Sequence, residues 1–545
     1  MSRCHPRERS ARTPRPNMRS SDCFAQPIWA VPFFMRSKLA GNMISNVVAQ
    51  GWTAIMGLAF VPVYIQLLGI ESYGLIGFFA SLHTLFTLLD LGLSRTLARE
   101  TARFRGGSQS SESILDLLRS MECVYCVIAT IMAGSVMAAA PWIANHWLKA
   151  DSLPAETVTT ALTIMGLVTA LKWYSTLYRS ALLGLQEQVC LNASSMGFAT
   201  ARGVGTFFVL SLVSASISAF FITHAILTVL ETIVLSLMVH HFIPRGTRPP
   251  RFCADALLSI SKYAAGLTAI TFLSLLLTQV DKILLSNLLS LEDFGTYSFA
   301  TLVAGSLTVG IGSASVAIGP RLTELVATGN AAAVRSAYHR YCQLITIMTV
   351  PPAIVLAFFS EHFLLLWTQD PGITAYAAPL VSILAIGTMF NGLMHTPYLL
   401  QLAYGWTRFT IAINIVGVLI IVPCIYFLAP EYGAIAAAWS WTALNVGYVA
   451  ISLPFLHRTL LPNELRSWWL EDVLPPALAS LTAVTFVWIA SPRPLITSPA
   501  SSFVALFGAA LLAMISAAFA TPLFRKLIIE FFYRLNAIKT WPQSS

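Results

Sequence analysis

Three basic residues, Lys172, Arg202 and Lys282, lie inside long apolar segments, together with the acidic residues Glu231 and Asp281. A charged side chain at the centre of a bilayer costs about 2.5 to 3.5 kcal/mol on insertion scales, so such residues are retained where they serve a function. Guanidinium and ammonium groups supply hydrogen-bond donors that suit phosphate oxygens. Because three cations face two anions, the pattern predicts a cationic site for an anionic ligand. The two carboxylates are candidates for ion coupling.

A structural role is the alternative for these charges. In that case Glu231 pairs with Arg202, and Asp281 pairs with Lys172 or Lys282, as pins between helices. Trp173 follows Lys172 directly and is a candidate platform for a sugar ring, although aromatic residues more often serve packing.

Asp90 and Arg95 end the second apolar segment, on either side of Gly92. Their place at a segment end favours a gate or a contact between lobes over substrate binding.

The elements that carry these residues must be membrane-spanning helices. The chain has 545 residues, of which 56% are hydrophobic and only 10% are charged. A soluble protein carries about 25% charged residues, so a soluble enzyme is excluded. Apolar runs of about 20 residues indicate an all-α polytopic membrane protein. The runs predict about 14 transmembrane helices: 43–68, 74–94, 121–144, 158–179, 190–213, 217–243, 263–287, 295–319, 341–367, 375–402, 409–429, 433–456, 473–490 and 501–522.

The distribution of basic residues predicts the orientation of these helices. With the N-terminus in the cytoplasm, 28 of the 33 Lys and Arg residues fall on the cytoplasmic side, Arg179 among them. The outer loops hold only Lys149 and Arg493. This asymmetry is the positive-inside pattern. It predicts an even number of spans with both termini cytoplasmic, and it explains the net charge of +9 without a nucleic-acid partner.

An internal repeat divides the predicted helices. The sequence LeuLeuGlyIleGluSerTyrGly at 67–74 resembles LeuLeuSerLeuGluAspPheGly at 288–295, an offset of 221 residues. This offset places helix 1 on helix 7 in the same direction, which predicts two parallel six-helix lobes and two additional C-terminal helices. The predicted regions are a disordered cytoplasmic tail (1–36, or a mis-assigned start), an N-lobe (37–243), a linker (244–262), a C-lobe (263–456), helices 13 and 14 (457–522) and a basic amphipathic tail (523–545).

Several short motifs resemble the O-antigen-type polysaccharide flippases of the multidrug/oligosaccharidyl-lipid/polysaccharide exporter superfamily. They are LeuGlyIleGluSerTyrGly at 68–74, LeuAspLeuGlyLeuSerArg at 89–95, GlnValAspLysIleLeuLeuSer at 279–286 with PheGlyThrTyr at 294–297, and GluTyrGlyAlaIleAlaAlaAla at 431–438. The resemblance covers 36–522 and implies V-shaped lobes, a cationic lumen and coupling to a proton or sodium gradient. Asp281 and Asp90 match its recurrent acidic positions. Lys172, Arg202 and Glu231 are selected on physical grounds alone.

The expected function is therefore transport without a cofactor. The expected cargo is an undecaprenyl-pyrophosphate-linked oligosaccharide, flipped across the bacterial inner membrane for surface polysaccharide biosynthesis, with a polysaccharide polymerase or export complex as partner. A multidrug exporter is the nearest alternative, but its cavity should be acidic to attract cations. A peptidoglycan-precursor flippase is a closer relative, and a pure scaffold in an export complex would not need the buried charges. A membrane-embedded polymerase or ligase is disfavoured because the outer loops are short.

Overall fold

The computed structural model describes residues 33–90, 92–244, 246–253, 272–273, 275–490 and 499–525. Most of the predicted N-terminal tail, most of the basic C-terminal tail and the first part of the seventh predicted helix lie outside these residues; residues 33–36 of the predicted tail belong to the first helix. The described chain is all-helical, with an isolated bridge between Lys149 and Ser290. The helices are α1 (Phe33–Ala59), α2 (Val61–Leu68), α3 (Ile70–Phe86), α4 (Leu93–Arg105), α5 (Ser111–Trp142), α6 (Ala155–Gly184), α7 (Gln188–Leu212), α8 (Ile217–Phe242), α9 (275–288), α10 (Leu291–Gly305), α11 (Val309–Ala327), α12 (Ala331–Thr368), α13 (Pro371–Leu393), α14 (His395–Ala403), α15 (Thr407–Tyr432), α16 (Ala434–Gly447), α17 (Leu453–Leu460), α18 (Leu465–Ser467), α19 (Leu474–Ala490) and α20 (Pro499–Ala520).

Eleven helical stretches in the described residues are long and apolar enough to cross a membrane. The all-helical membrane fold is thus confirmed, while the count of 14 spans is not. The stretches omit the fourth, fifth and seventh predicted spans. α6 and α7 have 30 and 25 residues, enough to cross a bilayer, but they carry the charged Lys172, Arg179 and Arg202. The seventh span begins outside the described residues.

Polar side chains at the helix starts explain where several helices begin. The side chains of Ser110, Ser216, Ser290, Asn330 and Asp370 each accept a hydrogen bond from the backbone N–H three residues later. Such caps satisfy N–H groups that have no partner inside the helix. Each cap therefore terminates a loop and starts an apolar helix at a defined residue.

The helices pack into two groups, which we call the N-lobe (α1–α8) and the C-lobe (α9–α16). In the N-lobe, α6 is central and packs against α3, α4, α5 and α8. In the C-lobe, α13 is central and packs against α10, α12 and α16. α19 and α20 pack on each other and on α12. The central helix α6 of the N-lobe carries Lys172 and Arg179, so these charges lie inside a packed bundle.

The two lobes meet where α3 crosses α10, and the crossing uses the repeat-related residues Gly74 and Gly295. A Cβ atom on Gly295 would overlap the carbonyl oxygen of Ile70, and one on Gly74 would overlap that of Leu291. Only glycine permits this approach of the two backbones. The two glycines that the sequence repeat aligns therefore lie against each other where the lobes meet.

Polar contacts beside this crossing join the lobes further, at what we call the sealed end. The indole Nε1 of Trp147 donates to Ser286 Oγ at 3.0 Å, and Lys149 Nζ donates to the Leu288 carbonyl oxygen at 2.8 Å. Glu71 accepts the backbone N–H of Asp151 at 2.6 Å and so orders the loop that carries Lys149. The opposite end of the bundle, which carries α4 and residues 246–253, is called the basic end.

Candidate functional site

A cavity of about 640 Å³ lies between the lobes. Helices of both lobes line it, including α2, α3, α7, α8, α9 and α10. Its polar lining includes Tyr64, Arg202, His224, Gln279, Lys282 and Thr301. Two of the predicted substrate-binding cations thus face one cavity, Arg202 from the N-lobe and Lys282 from the C-lobe.

Glu231 lies between two arginines at the centre of the N-lobe. One of its carboxylate oxygens accepts a hydrogen bond from Arg179 on α6, and the other accepts one from Arg202 on α7. The Glu231 side chain is 4% exposed, against 33% for Arg179 and 19% for Arg202. The Glu231–Arg202 pair predicted as a structural alternative thus becomes a triad with Arg179. The triad carries an excess positive charge and joins three helices.

Lys172 adds another cation to this group without an ion pair of its own in the described residues. Its ammonium lies 5.0 Å from the centroid of the Phe79 ring, a cation–π geometry. Arg179, Arg202 and Glu231 are the charged groups within electrostatic range. The group formed by Lys172, Arg179, Arg202 and Glu231 therefore holds three cations and one anion, which makes this part of the N-lobe attractive to an anion.

Asp281 on α9 anchors a second, smaller site in the C-lobe. Its Oδ2 accepts the Tyr297 hydroxyl at 2.6 Å, and the Lys282 ammonium lies 3.5 Å from the same oxygen. Its buried Oδ1 has no hydrogen-bond partner among the described residues. A cavity of about 340 Å³ adjoins the pair and is lined by Asp281, Lys282, Tyr297, Thr388, Asn391 and Trp441, among others. The free oxygen gives this carboxylate capacity for a proton or a monovalent cation.

Trp173 lies away from both cavities. Its side chain is 1% exposed and stacks on Tyr125 at 4.4 Å between ring centroids. Tyr125 in turn donates to Asp90 Oδ1 at 2.6 Å. Trp173 therefore supports the residues that hold Asp90, and neither cavity is lined by Lys172 or Trp173.

Asp90 and Arg95 lie at the basic end, in different settings. The Asp90 carboxylate accepts the Ser94 hydroxyl at 2.7 Å and the Tyr125 hydroxyl, so it is held within the N-lobe. Arg95 is exposed and lies within electrostatic range of Tyr398 on α14, in the C-lobe. Of the two residues predicted to form a gate, Arg95 is thus the one that faces across to the C-lobe.

The helix that carries Arg95 is stabilised from within by Glu100. This carboxylate is buried against Arg99 and Arg103, at 2.7 and 3.1 Å, and also accepts a hydrogen bond from Gln109. Burial raises the pKa of Glu100, but the hydrogen bonds and the two positive charges outweigh it and hold the pKa below its usual value. Glu100 is therefore ionised at neutral pH and stabilises α4.

Three residues of this arrangement escaped the sequence analysis as site residues. Arg179 was assigned to a cytoplasmic flank; it lies inside α6 and binds Glu231. Its spacing of seven residues from Lys172 places both on one helix face and was a usable signal. His224 had the same signal, because it lies four and seven residues before Thr228 and Glu231. Tyr297 lacked one, because its importance depends on which helices meet.

Comparison with known proteins gives consistent results. A family model described as "Polysaccharide biosynthesis protein" matches residues 39–326, and a MatE model matches residues 267–427. A putative O-antigen transporter of Shigella flexneri is 20% identical over 429 residues, which are 77% of this chain and 97% of the relative.

Solved structures share the fold. The lipid II flippase MurJ in an inward closed conformation is 13% identical with a TM-score of 0.62, covering 90% of this chain and all of that one. An inward-facing multidrug resistance MATE family transporter of the MOP superfamily is 12% identical with a TM-score of 0.60, covering 75% and 96%. The chain belongs to the polysaccharide biosynthesis protein family and has the fold of MOP-superfamily transporters.

Proposed function

We propose that this protein flips an undecaprenyl-pyrophosphate-linked oligosaccharide from the cytoplasmic to the outer leaflet of the bacterial inner membrane, for surface polysaccharide biosynthesis. The observation that carries the proposal is the cationic excess at the cavity between the lobes. Arg202 and Lys282 line it, and Lys172 and Arg179 lie behind it, so that these four cations face two carboxylates, Glu231 and Asp281. The names of the Shigella relative and of MurJ agree with such a cargo.

The two lining cations suggest how cargo binding drives the lobes together. Arg202 and Lys282 belong to different lobes, so closing the cavity brings like charges together at a Coulombic cost. A pyrophosphate held between them replaces that repulsion with attraction to both. Cargo therefore stabilises the closed cavity more than the open one, which is the differential affinity that a population shift requires.

The coupling step is assigned to Asp281. Its unpartnered Oδ1 can take a proton or a monovalent cation, whereas both oxygens of Glu231 are occupied by arginines. Filling the Asp281 site neutralises a buried charge beside Lys282 and leaves that lysine free to hold the cargo. Exchange of the ion for cargo would bias the inward against the outward state.

The topology of the proposal follows from the sequence. The basic end, with α4 and residues 246–253, faces the cytoplasm, as do both termini, and the sealed end faces outward. The headgroup enters from the cytoplasmic leaflet while its polyprenyl chain stays in lipid. A polysaccharide polymerase or export complex at the outer face would receive the product.

A double substitution, R202Q with K282Q, tests the cargo site. In the native host lacking the chromosomal gene, the variant should support no surface polysaccharide, while its abundance in the membrane stays at the wild-type level. In native mass spectrometry, the purified wild-type chain should bind undecaprenyl pyrophosphate, and the variant should lose this binding. R408Q with R458Q is the matched control, because it removes the same charge from exposed positions.

The multidrug alternative is tested with the same proteins. An acidic site such as Asp281 would also attract a cationic drug, and the MATE structural likeness is compatible with that activity. If D281N abolishes ethidium efflux while R202Q with K282Q leaves polysaccharide export intact, the flippase proposal is wrong and the exporter is favoured.

A further inference from the structure

His224 on α8 is a buried polar side chain that the proposed function leaves without a role. Its ring lines the cavity between the lobes and stacks on Phe220 at 4.3 Å between centroids. Neither ring nitrogen has a hydrogen-bond partner among the described residues. One helical turn along, Thr228 is 1% exposed and lies behind the cavity wall, and its hydroxyl likewise has no partner in the described part of the chain. Two unsatisfied polar groups therefore lie on one face of one helix.

This arrangement is costly unless a ligand completes it. A buried donor or acceptor without a partner costs about 1 to 3 kcal/mol, and most buried polar groups in folded proteins are satisfied. The surrounding helix is apolar and offers neither group a partner. The cost is explained if His224, with Thr228 one turn behind it, binds something that enters the cavity.

The charges around His224 indicate the chemistry of that ligand. Lys172 on α6 and Arg202 on α7 are the charged groups that face it, and Lys282, Tyr64 and Tyr73 share the cavity wall. A third positive charge beside Lys172 and Arg202 would be repelled, so the neutral imidazole, with one donor and one acceptor nitrogen, is favoured.

The oxygens of an ionised pyrophosphate only accept hydrogen bonds. They would pair with the donor nitrogen of the neutral imidazole and leave its acceptor nitrogen unsatisfied. A sugar hydroxyl both donates and accepts, and so does the hydroxyl of Thr228. In a lipid-linked oligosaccharide the first sugar is joined directly to the pyrophosphate. A pyrophosphate at Arg202 would therefore place that sugar beside His224.

We propose that His224, with Thr228 one turn behind it, forms a sugar subsite that binds a hydroxyl or amide group of the first sugar, next to the pyrophosphate position at Arg202. The inference rests on the proposed function and adds to it the group that distinguishes sugar-bearing lipid from bare lipid.

His83 on α3 supplies a matched control. It also faces Lys172, and its Nδ1 also lacks a hydrogen-bond partner within the described residues. Its ring stacks on Phe79 and does not line the cavity. A change at His83 thus reproduces the loss of a buried imidazole in the same lobe without touching the proposed subsite.

The test compares lipids that differ only in the sugar. Affinities of the purified full chain are measured by native mass spectrometry for undecaprenyl pyrophosphate and for its derivatives carrying one glucose, galactose or N-acetylglucosamine. The wild type should bind at least one derivative about three- to tenfold more tightly than the bare lipid. H224F and T228V should each reduce that preference, and H224Q, which keeps a donor and an acceptor, should retain part of it. H83F should retain it fully.

The inference is overturned if the wild type binds all four lipids equally, if H224F weakens bare and sugar-bearing lipid by the same factor, or if H83F removes the preference as well. Thermal unfolding of each variant identifies any loss of folding, in which case H224Q and T228V decide the result. Binding of none of the lipids by the wild type would count against the proposed function itself, which separates the two failures.

Discussion

The two lobes hold their buried carboxylates in opposite ways. In the N-lobe, both oxygens of Glu231 are taken by Arg179 and Arg202, and Lys172 adds a further positive charge. In the C-lobe, Asp281 has one lysine neighbour, one tyrosine donor and one oxygen without a partner in the described residues. The N-lobe carboxylate therefore serves to hold cations in place, while the C-lobe carboxylate retains the capacity to bind an ion.

This difference suggests that the two lobes, although they share a repeat, have separate functions in binding the headgroup and the coupling ion. A cationic excess attracts an anionic headgroup, and an unsatisfied carboxylate attracts a proton or a cation. Having both in one lobe would let the two charges neutralise each other. Separation across the cavity keeps each site available and lets Lys282, which lines both cavities, connect them.

The strongest test of the comparison is E231Q, which leaves Arg179 and Arg202 without a charged partner. Breaking a buried ion pair costs about 3 to 5 kcal/mol. Because both arginines retain some exposure, we expect about 3 kcal/mol, measured as a lower thermal unfolding temperature in detergent.

The control for E231Q is E324Q, which breaks the exposed Arg321–Glu324 pair at 2.8 Å and should leave the unfolding temperature close to that of the wild type. Adding R179Q and R202Q to E231Q should restore part of the lost stability. An E231Q protein as stable as the wild type would show that the triad is not a structural unit.

G295A tests a place where the lobes are alike. The added Cβ overlaps the Ile70 carbonyl oxygen, and overpacking of this kind costs about 1 to 3 kcal/mol. We expect the sealed end to open, so that a cysteine at Ser298, in the cavity wall, reacts with an impermeant maleimide applied outside whole cells. G74A should act in the same way.

G305A lies on the same helix as Gly295, and its Cβ would meet nothing within 4 Å. It should leave the labelling unchanged. Equal labelling of the G295A and G305A proteins would refute the role of the glycine crossing as a seal.

D281N tests the ion capacity of the C-lobe. A coupling ion at ten times its dissociation constant stabilises the protein by about 1.4 kcal/mol. The unfolding temperature of the wild type should therefore rise either with Na⁺ in place of K⁺ or with falling pH, and D281N should abolish that rise.

E231Q should keep the same response, because Arg179 and Arg202 hold both Glu231 oxygens in the wild type and leave neither available to the ion. Loss of the response in E231Q and its retention in D281N would reverse the assignment and support Glu231 as the coupling residue.

Apart from the control substitutions, W173F is expected to have the smallest effect. The residue is buried against Tyr125 and lines neither cavity, so the substitution should cost about 1 kcal/mol or less in stability. Binding of the sugar-bearing lipids described above should not change. A loss of sugar preference in W173F, measured by native mass spectrometry, would restore Trp173 as a sugar platform.

Much of the fold was predictable because hydropathy is a local property. Apolar runs predicted helices at nearly all the places where the structure has them, and the repeat predicted that Gly74 and Gly295 are equivalent. The boundaries were less accurate: α5 begins at Ser111, ten residues before the predicted span, because the Ser110 cap starts the helix in polar sequence. Caps and breaks depend on single side chains that a hydropathy window averages out.

The candidate site was predictable in part, for a related reason. The energetic cost of a buried charge marks Lys172, Arg202, Glu231, Asp281 and Lys282 in the sequence itself. The partners of these charges could not be predicted in the same way, because Arg179 becomes a second partner of Glu231 only through the packing of α6 against α8. The same holds for Tyr297 and Asp281, which are sixteen residues apart on consecutive helices.

The sequence by itself determined that this chain is a helical membrane protein, and it predicted two related halves and an excess of basic residues within the apolar segments, because composition, periodicity and charge cost are properties of residues. Only the tertiary structure decided which charges neutralise each other, which residues line the cavity and which polar atoms remain unsatisfied. These depend on the distances between helices far apart in the chain. Lys172 and Arg202 have the same sequence signature, but packing places Arg202 in the cavity wall and Lys172 behind it.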